Sequence, residues 1–297
     1  MSASSPERGA AAGARGTLYV VATPIGNLGD VTLRALEILR AVPLVACEDT
    51  RITSRLLGRH GITTRLTSFH ARSAPARLAS LLDHLRTGAD LALTTDAGTP
   101  GVSDPGEDLV AAWAAEGGTI VPIPGASAVL AAVMGSGIAG PRWSFEGFLP
   151  RSGRERRERL ARIAADDRAS ILYEAPTRIG ATLRDLAAAA GSDRRAAVCR
   201  ELTKLHEQIA RGTLAELAEL VASGGIPPRG EIAVVVAGRP PDAHAAASAG
   251  TDDNAAAVAL AEVEALVATG VGRSEAARRV AAATGIPRRR LYRVSGD

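Results

Sequence analysis

The stretch TDAGTPGVSDPG, residues 95–106, is the part of the sequence that decides the fold. Strand-forming residues (91–93) precede it and a helix-like run (107–116) follows it, so it is a loop between a strand and a helix. Open α/β sheets bind ligands at such strand ends. The three glycines let the backbone approach a ligand closely, and the helix start suits an anionic group. Asp96 and Asp104 instead suit hydroxyl or ammonium groups. The loop therefore fits a zwitterionic ligand, and an ordinary tight turn is the alternative.

Composition bounds the class of protein. The chain of 297 residues predicts about two domains, and its 46% hydrophobic residues are enough for real cores. The formal net charge is +3, and Lys204 is the single lysine among many arginines, whose guanidinium groups suit carboxylates and phosphates. Cys47 and Cys199 lie in apolar runs and indicate buried thiols in a reducing compartment. The five histidines are scattered and no CxxC occurs, so no metal site is expected. Prolines and glycines interrupt the uncharged stretch 117–141, which argues against a membrane span.

The first half of the chain alternates strands and helices. Strands are predicted at 17–23, 43–47, 66–69, 91–93 and 119–123. Between them come helices, the first of which is predicted to begin with Asp30 as its N-cap. This alternation predicts βαβ units and a parallel sheet.

The second half follows a different pattern. Strands are predicted at 143–148, 169–174, 195–202, 206–211 and 230–237, with helices at 153–165, 177–190 and 213–223. Two of these strands follow each other without a helix, which predicts a mixed sheet with antiparallel pairs. The expected organisation is a disordered tail at 1–15, an α/β domain at 16–125, a second α/β domain at 126–238, a linker at 239–254 and a helical domain at 255–297.

The C-terminal segment has a helix-turn-helix outline. One helix is predicted at 255–268, and a second is predicted to begin with Ser274 as its cap. A short basic helix then carries Arg288, Arg289 and Arg290. These arginines either bind nucleic-acid phosphates or form a solvated basic cap, and the sequence favours neither alternative.

Several motifs in this order resemble those of one family. They are LYVVATPIGNL (18–28), EDTR (48–51), DAGTP (96–100), DPG (104–106), PGAS (124–127), GFLP (147–150), YEAP (173–176), RELTK (200–204) and GE (230–231). Together they resemble the tetrapyrrole methylase superfamily, and within it the branch that methylates ribosomal RNA. The first turn reads TPIGN (23–27), whereas corrinoid and porphyrin methylases usually have a Gly-x-Gly-Pro-Gly-Asp type of turn, which favours the RNA branch.

The resemblance implies S-adenosylmethionine as methyl donor and 2'-O-methylation of a cytidine in the decoding centre of 16S rRNA. It also implies a cytoplasmic homodimer that acts on the small ribosomal subunit, with the donor held between two α/β domains. Two other functions remain open. One is C-methylation of a tetrapyrrole (corrinoid or porphyrin) precursor, and the other is nucleic-acid binding by a regulator without enzymatic activity.

The resemblance also implies a donor site. The backbone from Gly98 to Val102 is expected to receive the methionine end of the donor, and Tyr173 to border the adenosine unless it only packs in the core. The full set of expected cofactor-binding residues is Pro24, Asp96, Gly98, Gly101, Val102, Ser127, Ala128, Tyr173, Thr213 and Leu214.

Acids and arginines at the same sheet edge are candidates for catalysis and RNA contact. A ribose hydroxyl is a poor nucleophile, so Glu48 or Asp49 is expected to accept its proton while Arg51 holds a phosphate. The alternative is a helix cap with an Arg–Asp pair. Arginines between 151 and 159, with Arg154 and Arg157 chosen as contacts, form either an RNA track or a solvated helix face balanced by glutamates.

Overall fold

The computed structural model describes residues 15–70, 73, 75–240 and 258–291. It has two compact units, one ending at Arg239 and the other beginning at Pro240. The expected tail, apart from Arg15, and the expected linker, apart from residues 239–240, lie outside the described residues, as does the basic helix beyond Leu291. No helix of the described ranges is long and apolar enough to cross a membrane.

The first sheet contains five strands, all parallel, in the order β3-β2-β4-β1-β5. The strands are β1 (Thr17–Val21), β2 (Leu44–Cys47), β3 (Leu66–Ser68), β4 (Leu91–Thr94) and β5 (Thr119–Ile123). The helices between them are α1 (Leu33–Ala41), α2 (Thr50–Arg59), α3 (Pro75–Arg86) and α4 (Glu107–Ala115). The predicted parallel sheet is confirmed.

Both faces of this sheet are buried, as expected when crossover helices cover a parallel sheet. One face packs Leu18 and Leu91 against α3 and against Trp113 of α4, and the other packs Val21 and Val45 against α1 and α2. Burial of one such leucine or valine contributes roughly 1.5–3 kcal/mol. These cores hold the carboxyl ends of β1, β2 and β4 side by side, and the loops that leave those ends are therefore neighbours.

The second sheet is mixed, in the order β6-β7-β10-β8-β9. Its strands are β6 (Trp143–Phe148), β7 (Ala169–Glu174), β8 (Arg195–Arg200), β9 (Gln208–Thr213) and β10 (Ile232–Val236). Strands β6 and β7 are parallel and the other neighbours are antiparallel, so the predicted mixed sheet is also confirmed.

Helices cover both faces of the second sheet. They are α5 (Ala128–Ser136), α6 (Gly153–Ala165), α7 (Ile179–Ala190) and α8 (Leu214–Ala222). Helices α6, α7 and α8 share one core with the sheet, and α5 shares the other. Ile25 and Val102, from the loops after β1 and β4, also pack into the core of α5, so loops of the first sheet meet the second sheet there.

Three local predictions are wrong. Asp30 does not cap α1, because it ends a short 3-10 turn (Leu28–Asp30), and Thr32 caps the helix by accepting the Ala35 N–H at 3.1 Å. Strand β9 begins two residues later than predicted, because the Thr203 N–H donates to the Glu207 carboxylate at 2.6 Å and closes a turn. In the C-terminal unit the cap of the second helix is Gly272, and Ser274 lies inside that helix.

The C-terminal unit is helical. Its described part contains α9 (258–268), α10 (Arg273–Thr284) and a 3-10 turn (Arg288–Leu291). Small and aliphatic side chains, including Val263, Val280 and Leu291, form its own core.

Candidate active site

A cavity of about 300 Å³ lies where the loops of the two sheets meet, within the unit that ends at Arg239. The first half contributes Ile25 and the 97–104 segment, and the second half contributes Phe148, Tyr173 and the 230–233 segment. This volume is at the lower end of the range for small-molecule sites, which are mostly apolar with a few well-placed polar groups.

The long loop after β4 (residues 95–106) presents its backbone to this cavity. Gly98 and Gly101 have φ of 86° and 81°, a region that favours glycine. The loop is pinned to the turn after β1, because the Thr23 N–H donates to the Gly98 carbonyl at 2.8 Å and the Gly98 N–H donates back at 3.1 Å. Ser103 also has a positive φ of 64°, which in a residue with a side chain stores strain of the kind found at ligand sites.

The start of α5 forms the adjacent wall. Ser127 is its N-cap and accepts the Leu130 N–H at 3.5 Å, and Ala128 is the first helical residue. Both residues line the cavity. Because the first N–H groups of a helix lack partners within it, this wall favours a carboxylate.

An aromatic cluster forms the opposite wall. The Tyr173 ring contacts Phe145 and Phe148, with ring centroids 5.0 and 5.6 Å away. Burial, reinforced by the charge of Asp104, raises the pKa of Tyr173 to about 12, so its hydroxyl remains protonated at physiological pH. Tyr173 therefore both packs in the core and lines the cavity.

Two acids join the ends of β2 and β4. The Asp96 carboxylate accepts the Asp49 N–H at 2.9 Å, and the Glu48 carboxylate accepts the backbone N–H of Asp96. Burial, followed by the charge of Asp96, raises the pKa of Glu48, and burial raises that of Asp96. Each of these two carboxylates therefore uses one acceptor position in holding the strand ends together.

Asp49 is found in the arrangement that the sequence analysis gave as the alternative to catalysis, a helix cap with an Arg–Asp pair. It is the N-cap of α2, and it accepts the Arg51 N–H at 2.8 Å and the Arg51 Nη2 at 2.5 Å. The guanidinium of Arg51 lowers the pKa of Asp49 to about 2. An acid with so low a pKa is a weak proton acceptor.

Asp104 differs from these acids. Burial, and then the charges of Glu48 and Asp96, raises its pKa to about 6. It lines the cavity directly. The sequence interpretation gave it a general binding role but not a place among the site residues. In the sequence, the one feature that marked Asp104 was its position as the second acid of the loop 95–106.

Half of the expected cofactor residues line the cavity. Gly98, Val102, Ser127, Ala128 and Tyr173 line it. Pro24 and Gly101 are next in sequence to the lining residues Ile25 and Val102, and Asp96 to Ala97.

Thr213 and Leu214 do not line the cavity. Thr213 is engaged in a capping box with Glu216 at the start of α8, and Leu214 is fully buried in the core beneath α7 and α8. In the structure Thr213 therefore caps α8, and Leu214 packs that helix into the core.

Lys204 makes contacts beside the cavity that the sequence did not predict. The Lys204 Nζ donates to Glu201 at 2.8 Å and to the cavity residue Glu231 at 3.0 Å. The stem of Lys204 lies against Gly26, where a Cβ would come within 2.4 Å of the lysine Cγ. The ammonium group thus joins two segments of the second half, and its stem holds the turn after β1.

The arginines of α6 divide between two faces. Arg154 and Arg157 are exposed, with Arg154 paired to Glu158 at 2.6 Å. Arg156 is buried and pairs with Asp185 at 2.7 Å, and Arg159 pairs with Glu146 at 3.2 Å, so these two stabilise the fold. In the C-terminal unit Arg288 donates to the Ser274 hydroxyl at 2.5 Å, and the side chains of Arg289 and Arg290 lie outside the described structure.

The described residues contain no group of three His, Cys, Asp or Glu that could hold a metal ion.

Comparison with known proteins defines the class. The family model of Tetrapyrrole (Corrin/Porphyrin) Methylases matches residues 17–218, so the chain belongs to that family. Similar solved structures include cobalt precorrin-4 methyltransferase (18% identity, TM-score 0.56, covering 74% of this chain and 94% of that one). Another is Thermus thermophilus uroporphyrin-III C-methyltransferase complexed with S-adenosylhomocysteine (17%, 0.54, 75% and 97%). At these identities the likeness shows the fold alone.

Closer relatives define the branch. The chain is 46% identical to "Ribosomal RNA small subunit methyltransferase I" of Synechocystis sp. over 280 residues, covering 94% of this chain and 97% of that protein. It is 43% identical to the protein of the same name from Xylella fastidiosa over 277 residues, covering 93% and 98%. Within the family, the chain belongs with the ribosomal RNA small subunit methyltransferase I proteins.

Proposed function

We propose that this protein is an S-adenosylmethionine-dependent methyltransferase that modifies the 2'-hydroxyl of a cytidine in the decoding centre of 16S rRNA. The observation that carries this proposal is the identity of 46% along nearly the whole of both chains with a protein named as a methyltransferase of small-subunit ribosomal RNA. The tetrapyrrole alternative has only the shared fold in its favour, at 16–20% identity.

The chemistry of the cavity fits the donor. The glycine turn from Gly98 to Val102 and the start of α5 would hold the carboxylate end, and the carboxylate of Asp96 beside that turn suits an ammonium or sulfonium cation. The aromatic wall at Tyr173 would flank the adenosine. When bound, S-adenosylmethionine supplies a methyl group already activated by a positively charged sulfur.

The contribution of the protein is then mainly alignment. Holding a hydroxyl in line with an activated carbon can supply a large part of the rate enhancement. An acid at the strand ends would accept the hydroxyl proton, for which the sequence nominated Glu48 and Asp49. Of these two acids, Asp49 already caps α2 and pairs with Arg51, and Glu48 is not among the residues that line the cavity.

RNA contact is proposed for exposed arginines on both units. Arg51 lies in the first turn of α2 with 84% of its side chain exposed, and Arg154 and Arg157 lie on the exposed face of α6. Arg288, Arg289 and Arg290 of the C-terminal helical segment (255–297) would add phosphate contacts. Residues 16–125 and 126–238 would then serve as the two halves of the catalytic part.

A cytoplasmic homodimer is part of the same proposal. Leu130 and Met134 lie one turn apart on α5 with 50% and 78% of their surface exposed. An exposed apolar face of this kind favours association with a second copy. Sedimentation velocity of the wild-type protein and of Met134→Glu tests this, because the charged variant is expected to shift towards the monomer.

Methyl transfer with the modified nucleotide mapped tests the function. Purified protein is incubated with methyl-labelled S-adenosylmethionine and unmodified small ribosomal subunits, and a uroporphyrinogen-type precursor serves as the second substrate. Label is expected in 16S rRNA at one cytidine whose 3' phosphodiester becomes resistant to alkali. Label in the tetrapyrrole and not in RNA would contradict the proposal. Calorimetry with S-adenosylhomocysteine separates both enzymes from a simple RNA-binding protein, which is expected not to bind it.

A further inference from the structure

Asp104 occupies a position in the cavity that no other acid of the loop shares. It follows the strained Ser103 and lies on the cavity surface, and its charge acts on Tyr173 from the opposite wall. Glu231, on the second sheet, is close enough to influence its titration. The side chain of Asp104 therefore borders the space between the two halves of the site.

The other acids around the cavity already have partners. Asp49 pairs with Arg51, and Glu231 pairs with Lys204. Glu48 and Asp96 are not among the residues that line the cavity, and Asp96 accepts the Asp49 N–H at 2.9 Å. Glu174 is buried, and it accepts from Arg178 at 2.8 Å and from Thr182 at 2.5 Å.

Asp104 is left with one hydrogen bond, from Thr95, and forms no ion pair with an arginine or lysine in the described ranges. Asp104 lines the cavity, and its carboxylate keeps open acceptor positions there, since an ionised carboxylate has about four of them.

We propose that Asp104 is the catalytic base that accepts the proton of the ribose hydroxyl. This inference rests on the proposed function. A lone pair of the 2'-oxygen forms the new bond to the methyl carbon while the carbon–sulfur bond breaks and leaves its electron pair on sulfur. The hydroxyl proton passes to the Asp104 carboxylate and then to water, so charge and atoms balance.

The surroundings tune this carboxylate for the task. Burial and the charges of Glu48, Asp96 and Glu231 raise its pKa to about 6, while Thr95 opposes the rise. Of the other groups facing this region, Tyr173 titrates at about 12, and His70 acts on Glu48. A base whose pKa lies just below working pH is largely ionised and still accepts a proton effectively.

The competing role for Asp104 is to hold the ammonium group of the donor. The two roles predict different effects of Asp104→Asn, a variant that preserves the shape of the side chain and removes its charge. A base supports the transfer step alone, whereas an ammonium partner supports donor binding. Methyl transfer and S-adenosylhomocysteine binding therefore separate the two.

For Asp104→Asn the expected result is a fall in single-turnover rate of about 10²–10⁴-fold. The dissociation constant for S-adenosylhomocysteine, measured by calorimetry, is expected to stay within about threefold of wild type. The matched control is Asp108→Asn, which removes a carboxylate from an exposed position in the first turn of α4 and is expected to leave the rate unchanged. A rate within threefold of wild type in Asp104→Asn, or a parallel loss of binding, would overturn the inference.

The wild-type protein offers a second test that needs no variant. Its single-turnover rate is expected to rise tenfold per pH unit below about pH 6 and to level off above it. A profile that is flat from pH 5 to 8 would contradict the assignment even if the variant failed to fold. An inactive wild type on small ribosomal subunits would instead count against the proposed function, so the two failures are distinguishable.

Discussion

Two connections leave the same edge of the parallel sheet and use their acids in opposite ways. The β2–α2 turn consists of Glu48 and Asp49, and Asp49 caps the helix and pairs with Arg51. The β4–α4 loop spans residues 95–106, and its helix begins at Gly106 without a side-chain cap. Asp104 is therefore not required for capping.

The difference shows how one sheet edge supports both structure and chemistry. In the two-residue turn Asp49 starts helix α2 and pairs with Arg51. The longer loop obtains its shape from glycines at positive φ and from backbone bonds to Thr23. The shape of the long loop therefore does not depend on a side-chain cap.

The largest expected stability effect comes from Gly106→Ala in the long loop. Gly106 has φ of 128°, and a Cβ there would come within 2.8 Å of the Leu93 Cδ2. Backbone strain and the clash together are expected to cost about 3 kcal/mol of unfolding free energy, measured by urea denaturation, with loss of methyl transfer.

Gly117→Ala is the control for Gly106→Ala. Gly117 has φ of 71° but an added Cβ would meet nothing within 4 Å, so a cost of about 1 kcal/mol is expected from backbone conformation alone. Equal losses in the two variants would show that close packing of the long loop on β4 does not matter.

A smaller effect is expected at the short turn. Asp49→Ala removes the cap and the ion pair, and is expected to lower Tm by a few degrees while methyl transfer stays within threefold of wild type. Asp49→Asn retains a capping oxygen and is expected to lose less. A fall in rate of 100-fold with donor binding intact would instead make Asp49 the proton acceptor and reverse the comparison.

The pH dependence of the Asp49 contribution has a definite sign. Its pKa is depressed to about 2 in the folded protein, against roughly 3.9 in an unfolded chain. Its stabilising effect is therefore fully present above the unfolded value and disappears as pH falls towards 2. The Tm difference between wild type and Asp49→Ala should narrow over that range.

The smallest effect is expected from Arg51→Gln. If Arg51 contacts phosphate, this variant binds small-subunit RNA a few-fold more weakly and with a shallower salt dependence. Arg168→Gln is the matched control, because Arg168 pairs with Asp166 through the same Nε and Nη2 arrangement outside the cavity. Equal RNA affinity in both variants would remove Arg51 from the interface.

Much of the fold could be predicted from periodicity and turn residues. The alternating first half gave the parallel sheet, and the adjacent strands at 195–202 and 206–211 gave the antiparallel pairs of the second. The choice of helix cap was harder, because Asp30 and Thr32 are both capping residues and only the 3-10 turn decides between them.

The site was only partly predictable for a related reason. Glycines at 98 and 101 mark the loop in the sequence itself. The availability of an acid depends on partners distant in sequence, such as Lys204 for Glu231. The pairing of Glu231 with Lys204, the capping box of Thr213 and the burial of Leu214 therefore became visible only in the assembled structure.

The most direct test of the central claim is a crystal structure with S-adenosylhomocysteine bound. The account predicts the amino-acid end of the ligand against the backbone of Gly98–Val102 and the start of α5, and the adenosine against Tyr173. A ligand bound elsewhere, with the 95–106 loop making no contact to it, would contradict the account.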